Sequence, residues 1–215
     1  MRKTQAKAAL APRKAPLQRR SAATVDAIIE AAARILEAKG FDGYTTNAVA
    51  ACAGVSIGSL YQYFPNRDAL TAALIERETR VLLENVERAA WAPTATEVIE
   101  QLIDAAVAHQ MQRPVLARLI DFEERRLPPG EQNEHVSDVL HAALMTALKC
   151  PDAPRLVNRA EAAHDVLAIV KGMIDWAGER GELNARALKK RVARAAFGYL
   201  MNNSAGSPAV SSQDR

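Results

Sequence analysis

Only two cysteines, Cys52 and Cys150, occur in 215 residues. They fall in different predicted helices and no signal-peptide pattern accompanies them. Reduced thiols in a cytoplasmic protein are therefore expected, rather than a disulfide framework. No apolar run approaches the roughly 18 residues of a membrane span. The basic N-terminus lacks the apolar segment of an export signal. Alternating strand patterns and fixed-period repeats are also missing, which leaves an all-α fold. Catalytic motifs are scarce: there is no His-Glu-x-x-His, and residues 54–58 lack the strand context of a phosphate loop. Glu161 and His164 have the i, i+3 spacing of a di-iron bundle, but the second copy such a site requires is absent. Neither an enzyme nor a cofactor or metal site is expected.

Charge is missing in one telling place. Residues 43–66 hold no charged side chain, although 25% of the chain is Asp, Glu, Lys or Arg. The cations gather elsewhere. Arg2, Lys3, Lys7, Arg13, Lys14, Arg19 and Arg20 stand in residues 1–20 without one acid, so the net +3 of the whole chain leaves −4 on the rest. A basic arm on a mildly acidic body suits nucleic-acid contact through the arm. An inert solubilising tail is the alternative.

Apolar content of 49% is enough for a real core. Residues 1–20, rich in Ala, Pro and cations, read as a disordered arm. Ser21 can cap a helix to Lys39, with Ile28, Ala32, Ile35 and Leu36 on one face and Gly40 at its end. After Pro65, Asn66 can cap a long helix to about Ala90, with Leu70, Leu74, Val81 and Leu82 as its core side. Thr94 and Glu97 form a capping box for a helix to about Gln112, and Pro114 opens another that ends near Arg126. Leu127-Pro128-Pro129-Gly130 is a break. Further helices are expected over about 132–149, 155–180 and 184–201, and the Ser-, Gly- and Pro-containing tail from Asn202 as disordered. The domains so defined are the arm at 1–20, a unit of short helices at 21–66, a helical body at 67–201 whose 67–90 segment connects, and the tail at 202–215.

The uncharged stretch holds the functional signal. A short helix over Thr46–Ala53 stops at Gly54, and a second, carrying Tyr61 and Tyr63, stops at Phe64-Pro65. Two short helices with a Gly in the turn make a helix-turn-helix, which seats its second helix in the DNA major groove. Thr45 and Thr46 supply cap hydroxyls at an end that favours phosphate, and Val49, Ala50, Val55 and Leu60 form the small core. The exposed positions are then Ser56, Ile57, Gly58, Ser59, Tyr61, Gln62 and Tyr63, while Phe64 reads as core. Without charge, base reading must use hydroxyls, the Gln62 amide, tyrosine rings and Ile57 against thymine methyls. Arg67 is the first cation available for a phosphate, so attraction at range falls to Arg67 and the arm.

Thr45-Thr46, Val49-Ala50, Ala53-Gly54-Val55-Ser56, Gly58, Leu60-Tyr61, Tyr63-Phe64 and Arg67-Asp68-Ala69-Leu70 together closely resemble the TetR family of bacterial transcriptional repressors. The resemblance covers about residues 22–75, with Arg67 where many members carry Lys. It implies that Thr46, Tyr61, Tyr63 and Arg67 hold the DNA backbone, and that Asn47, Ile57, Ser59 and Gln62 read bases. It further implies a homodimer on a palindromic operator, with repression relieved when a small ligand binds the C-terminal domain.

Beyond residue 90 the resemblance is architectural only. The dimer interface is expected on the last two helices, at Leu167, Val170, Ile174, Leu188, Val192, Ala196 and Tyr199. Polar or soft groups on apolar stripes mark candidates for the effector: His109, Arg113, Phe122, Glu123, His141 and Met145. Each also fits a plain packing or ion-pairing role. The rival function on the same fold is a ligandless DNA-binding architectural or partner-binding protein.

Overall fold

A computed structural model describes residues 19–126 and 131–204. The arm and tail expected to be disordered, and the break at 127–130, lie wholly or largely outside these residues. The described chain is α-helical in nine segments: α1 Arg19–Gly43, α2 Thr46–Ala53, α3 Ile57–Tyr63, α4 Arg67–Ala89, α5 Ala95–Gln112, α6 Pro114–Arg126, α7 Glu131–Ala147, α8 Arg159–Glu179 and α9 Ala185–Asn202. Among the described residues the one β feature is an isolated antiparallel bridge between Leu156 and Ser204.

Two compact units divide the chain. The first comprises residues up to Thr79 together with 115–130; the second comprises Arg80–Pro114 and the chain from Glu131. The division differs from a single cut at residue 66, because Leu70, Ala73, Leu74 and Ile75 of α4 and Leu116 and Ile120 of α6 share the core of α1–α3. In this first unit Ile28, Ala32, Ile35 and Leu36 bury the expected face of α1. Arg77 of α4 bridges Glu30 of α1 at 3.0 Å.

Ser21 does not cap α1. The helix starts two residues earlier, and the Ser21 hydroxyl instead lies 3.1 Å from that of Tyr63. Gly40 does take the left-handed φ of +60° foreseen for it, but helix resumes beyond it to Gly43, so it marks a kink. Asn66 caps α4 as expected, accepting from the Ala69 amide at 2.7 Å. Val81, expected in the core, is 44% exposed. Val81 lies seven residues after Leu74, on nearly the same side of the helix, but past Leu74 the burial turns toward Leu82 and Val86, about 100° or more round from Val81.

The second unit packs α5, α7, α8 and α9 together around Ile103, Leu144, Val166, Leu188 and Val192. The starts of α5, α8 and α9 are closed by side-chain caps. Thr94 accepts from the Glu97 amide at 3.2 Å, and Asp152, from the loop before α8, accepts from the Ala95 amide at 2.9 Å. α8 begins at Arg159, four residues later than the sequence suggests, because Asn158 caps it by accepting from Glu161. No helix of the described residues is long and apolar enough to cross a membrane.

Candidate nucleic-acid interface and effector residues

The turn between α2 and α3 is built by local chemistry. Thr45, extended at φ −121°, accepts from the Ala48 amide, and Gly54 ends α2 at φ +69°. A side chain resists that left-handed conformation and glycine does not. Ser56 then caps α3, accepting from the Ser59 amide at 3.0 Å. Val49, Ala50, Leu60 and Phe64 are buried beneath the two helices, as the pattern predicted, and fix their angle.

What remains outside on α2 and α3 is uncharged. Asn47, Gln62, Ser56 and Gly58 are exposed, Tyr61 is 42% and Ile57 38% exposed, and the exposed cation Arg67 follows at the start of α4. Several hydroxyls are already paired. Thr46 and Tyr61 meet across the two helices at 3.1 Å, so the α2 cap region and the α3 ring hold each other in place. Ser56 and Ser59 share a hydrogen bond at 2.8 Å, and Ser59 is half-buried. Tyr63 is half-buried too, its hydroxyl against Ser21. The partnership of Ser21 escaped the sequence reading, because residues 42 apart give no periodic signal. Beneath this surface Tyr44 is fully buried with its hydroxyl on Thr71, and burial pushes the phenol up to about 12.

The six effector candidates divide between the two units. Phe122 and Glu123 belong to the first unit, where Phe122 packs on Phe41 with ring centroids 5.0 Å apart and Glu123 is buried on the side facing Tyr44. His109, Arg113, His141 and Met145 belong to the second. There His141 stacks on His164 at 4.4 Å, and its Nε2 is buried without a hydrogen-bond partner among the described residues. Gln110 shares that property and was not singled out in the sequence. Its signal was present: a polar side chain seven residues after Ile103 and three after Val107, on their apolar stripe.

The dimer candidates divide as well. Ile174, Leu188, Val192 and Ala196 are buried within the single chain, where α8 packs on α9, and so belong to the subunit's own core. Leu167, Val170 and Tyr199 are half-buried, Tyr199 donating to the carboxylate of Asp165. The amphipathic pattern could not separate a face covered by a neighbouring helix from one covered by another subunit. No group of three or more His, Cys, Asp or Glu that could hold a metal ion occurs among the described residues.

A helix-turn-helix with an exposed polar second helix, in a chain that is otherwise helical, defines a DNA-binding transcriptional regulator. Comparison with known proteins gives the family. The model for bacterial regulatory proteins of the tetR family matches residues 28–74, and that for the tetracyclin repressor-like C-terminal domain matches residues 94–200. An uncharacterized HTH-type transcriptional regulator of Mycobacterium tuberculosis strain H37Rv is 30% identical over 173 residues, covering 79% of this chain and 83% of that protein. Among solved structures, a TetR transcription regulator from Haloarcula marismortui superposes with a TM-score of 0.70 at 15% identity, over 85% of this chain and 98% of that one. A tetR-family regulatory protein from Rhodococcus RHA1 gives 0.66 at 19% identity, over 82% and 96%. The chain belongs to the TetR family of transcriptional regulators.

Proposed function

We propose that the protein is a repressor that binds a palindromic operator as a homodimer and leaves it when a small molecule occupies the second unit. The observation that carries the reading is the uncharged, hydrogen-bonding surface of α2 and α3. Thr46, Tyr61, Tyr63 and Arg67 hold phosphates and set the register, while Asn47, Ile57 and Gln62 meet base edges. Thr45 and Ser56 serve the site through their caps, and Gly58 leaves the helix surface open for close approach. Ser59 contributes through its bond to Ser56 as well as through any base.

The second subunit docks on α8 and α9. Residues turned away from the chain's own core carry this contact, with Trp176 at 60% and Met201 at 64% exposure supporting it, beside half-buried Leu167, Val170 and Tyr199. Two-fold symmetry of such a pair accounts for operator symmetry, since each α3 reads one half-site.

Selection of bound sequences from random double-stranded DNA tests this directly. Two inverted half-sites, bound with two chains per duplex and repressing a reporter when placed in its promoter, are the expected result. Enrichment of a single unpaired half-site, or stimulation of the reporter, overturns it.

A further inference from the structure

We infer that Gln110 is the group that recognises the effector, and that the effector is an apolar molecule bearing a hydrogen-bond-accepting oxygen, a ketone or a carboxylate; this rests on the ligand-released reading above. Gln110 lies in the last turn of α5 and is 4% exposed. Its amide nitrogen is buried and has no hydrogen-bond partner among the described residues. A carboxamide nitrogen donates two hydrogen bonds and accepts none, so only an acceptor satisfies it. Buried donors left bare are rare because their desolvation goes uncompensated.

The helix opposite is shaped to the same atom. Gly178 of α8 is buried, and a Cβ there would stand 2.3 Å from the Gln110 amide nitrogen and 3.1 Å from its Cδ. A helical glycine is itself destabilising relative to alanine. Two unfavourable choices on facing helices thus converge on one nitrogen, and one apolar residue in place of Gln110 would remove the bare donor. Natural cores retain such a pair where the polar group serves a function. Around it on the same helices Ile103, Val107, Ile174 and Ala177 are buried and apolar, which selects an apolar body for the molecule that brings the oxygen.

Thermal-shift titrations of the full chain with 2-octanone, octanoate, octane and octylamine test the assignment. The oxygenated probes should raise the melting temperature more than octane does, and their relative strength separates ketone from carboxylate recognition. Gln110→Met, similar in volume and without the donor, should melt above the wild type when unliganded. It should also lose about fivefold in affinity for the oxygenated probe, with octane unaffected. Gly178→Ala should weaken the same probe by displacing the amide. Equal oxygenated-probe affinity in the wild type and Gln110→Met, preference for octylamine, or response to none of the four overturns the assignment; in the last case the amide serves a trapped water only. Release of selected DNA is read separately. If an oxygenated probe frees DNA from Gln110→Met as readily as from the wild type, the effector reading stands and Gln110 falls. If the probe binds through Gln110 yet frees no DNA, the site stands and the effector reading falls.

Discussion

The hydroxyl of Tyr44 donates to Oγ1 of Thr71 at 3.1 Å inside the first unit. The direction follows from Thr71, whose own proton is committed to the Arg67 carbonyl at 2.9 Å. Both residues are buried, at 1% and 0% exposure. The pair joins the end of the kinked α1 segment to the first turns of α4, directly beside the helix-turn-helix.

Unequal costs should follow from that direction. Tyr44→Phe removes a donor and leaves Thr71 still donating, and should cost about 1 kcal/mol. Thr71→Val keeps the shape but strands a buried phenol, and should cost about 2 kcal/mol. Urea denaturation of the two variants checks the order. Equal losses would mean that another group accepts from Tyr44.

The same phenol predicts an alkaline limb. Burial, the largest cause, raises its pKa from 10.0 to about 12, so the unfolded chain loses the proton first. Its contribution to stability is intact below pH 10 and is lost as pH rises from 10 through 12. Tyr199 behaves likewise, raised to about 12 first by its bond to Asp165. Tyr44→Phe should flatten the fall in stability between pH 10 and 12, and the Tyr44→Phe, Tyr199→Phe double variant should flatten it further.

Tyr61 is exposed and tied to Thr46, so Tyr61→Phe should leave stability nearly unchanged. Its effect belongs to DNA: about fivefold weaker binding, equal for every operator sequence, because a hydrogen bond to phosphate carries no base information. Fluorescence anisotropy with an operator and its single-base variants measures this. A change in which bases matter would assign Tyr61 to base reading.

Electrostatic attraction should reside in the arm. Removing residues 1–18 takes away Arg2, Lys3, Lys7, Arg13 and Lys14 while leaving α1 whole. The slope of log affinity against log salt should become shallower by about 0.9 for each phosphate that the arm had neutralised, with base preference retained. An unchanged slope would place the attraction on the folded body.

Asp152 should make the second unit acid-sensitive. Chiefly the Ala95 amide, with help from that of Thr96, holds its carboxyl below the ordinary 3.8. Its stabilisation is present above pH 3.8 and disappears as pH falls through the lowered value. Asp152→Ala should melt below the wild type at pH 7, and the gap should close at lower pH as the wild-type carboxylate protonates. Asn, a neutral acceptor, should lie between them.

Much of the first unit was legible because its determinants are local. Thr45, Gly54 and Asn66 close or turn helices through atoms three or four residues away, and the buried stripe of α1 follows the 3.6-residue period. The unread part was long-range. Ser21 looked like a cap until Tyr63 came within reach, and Val81, on the side of Leu74, looked like core although the burial of α4 turns toward Leu82 and Val86 and leaves it exposed. Ile174, Leu188, Val192 and Ala196 carried an apolar pattern that one neighbouring helix and a second subunit would satisfy equally well.

The amino-acid sequence by itself determined the all-helical class, the helix-turn-helix and the separation of positive charge from the DNA-reading helices. Those properties depend on residue type at short spacing. The tertiary structure alone decided which hydroxyls are already paired, which apolar faces the chain covers with its own helices, and which polar groups are buried without a partner. Gln110 against Gly178 shows the reason: burial and satisfaction belong to what crosses from another helix, and no local spacing records it.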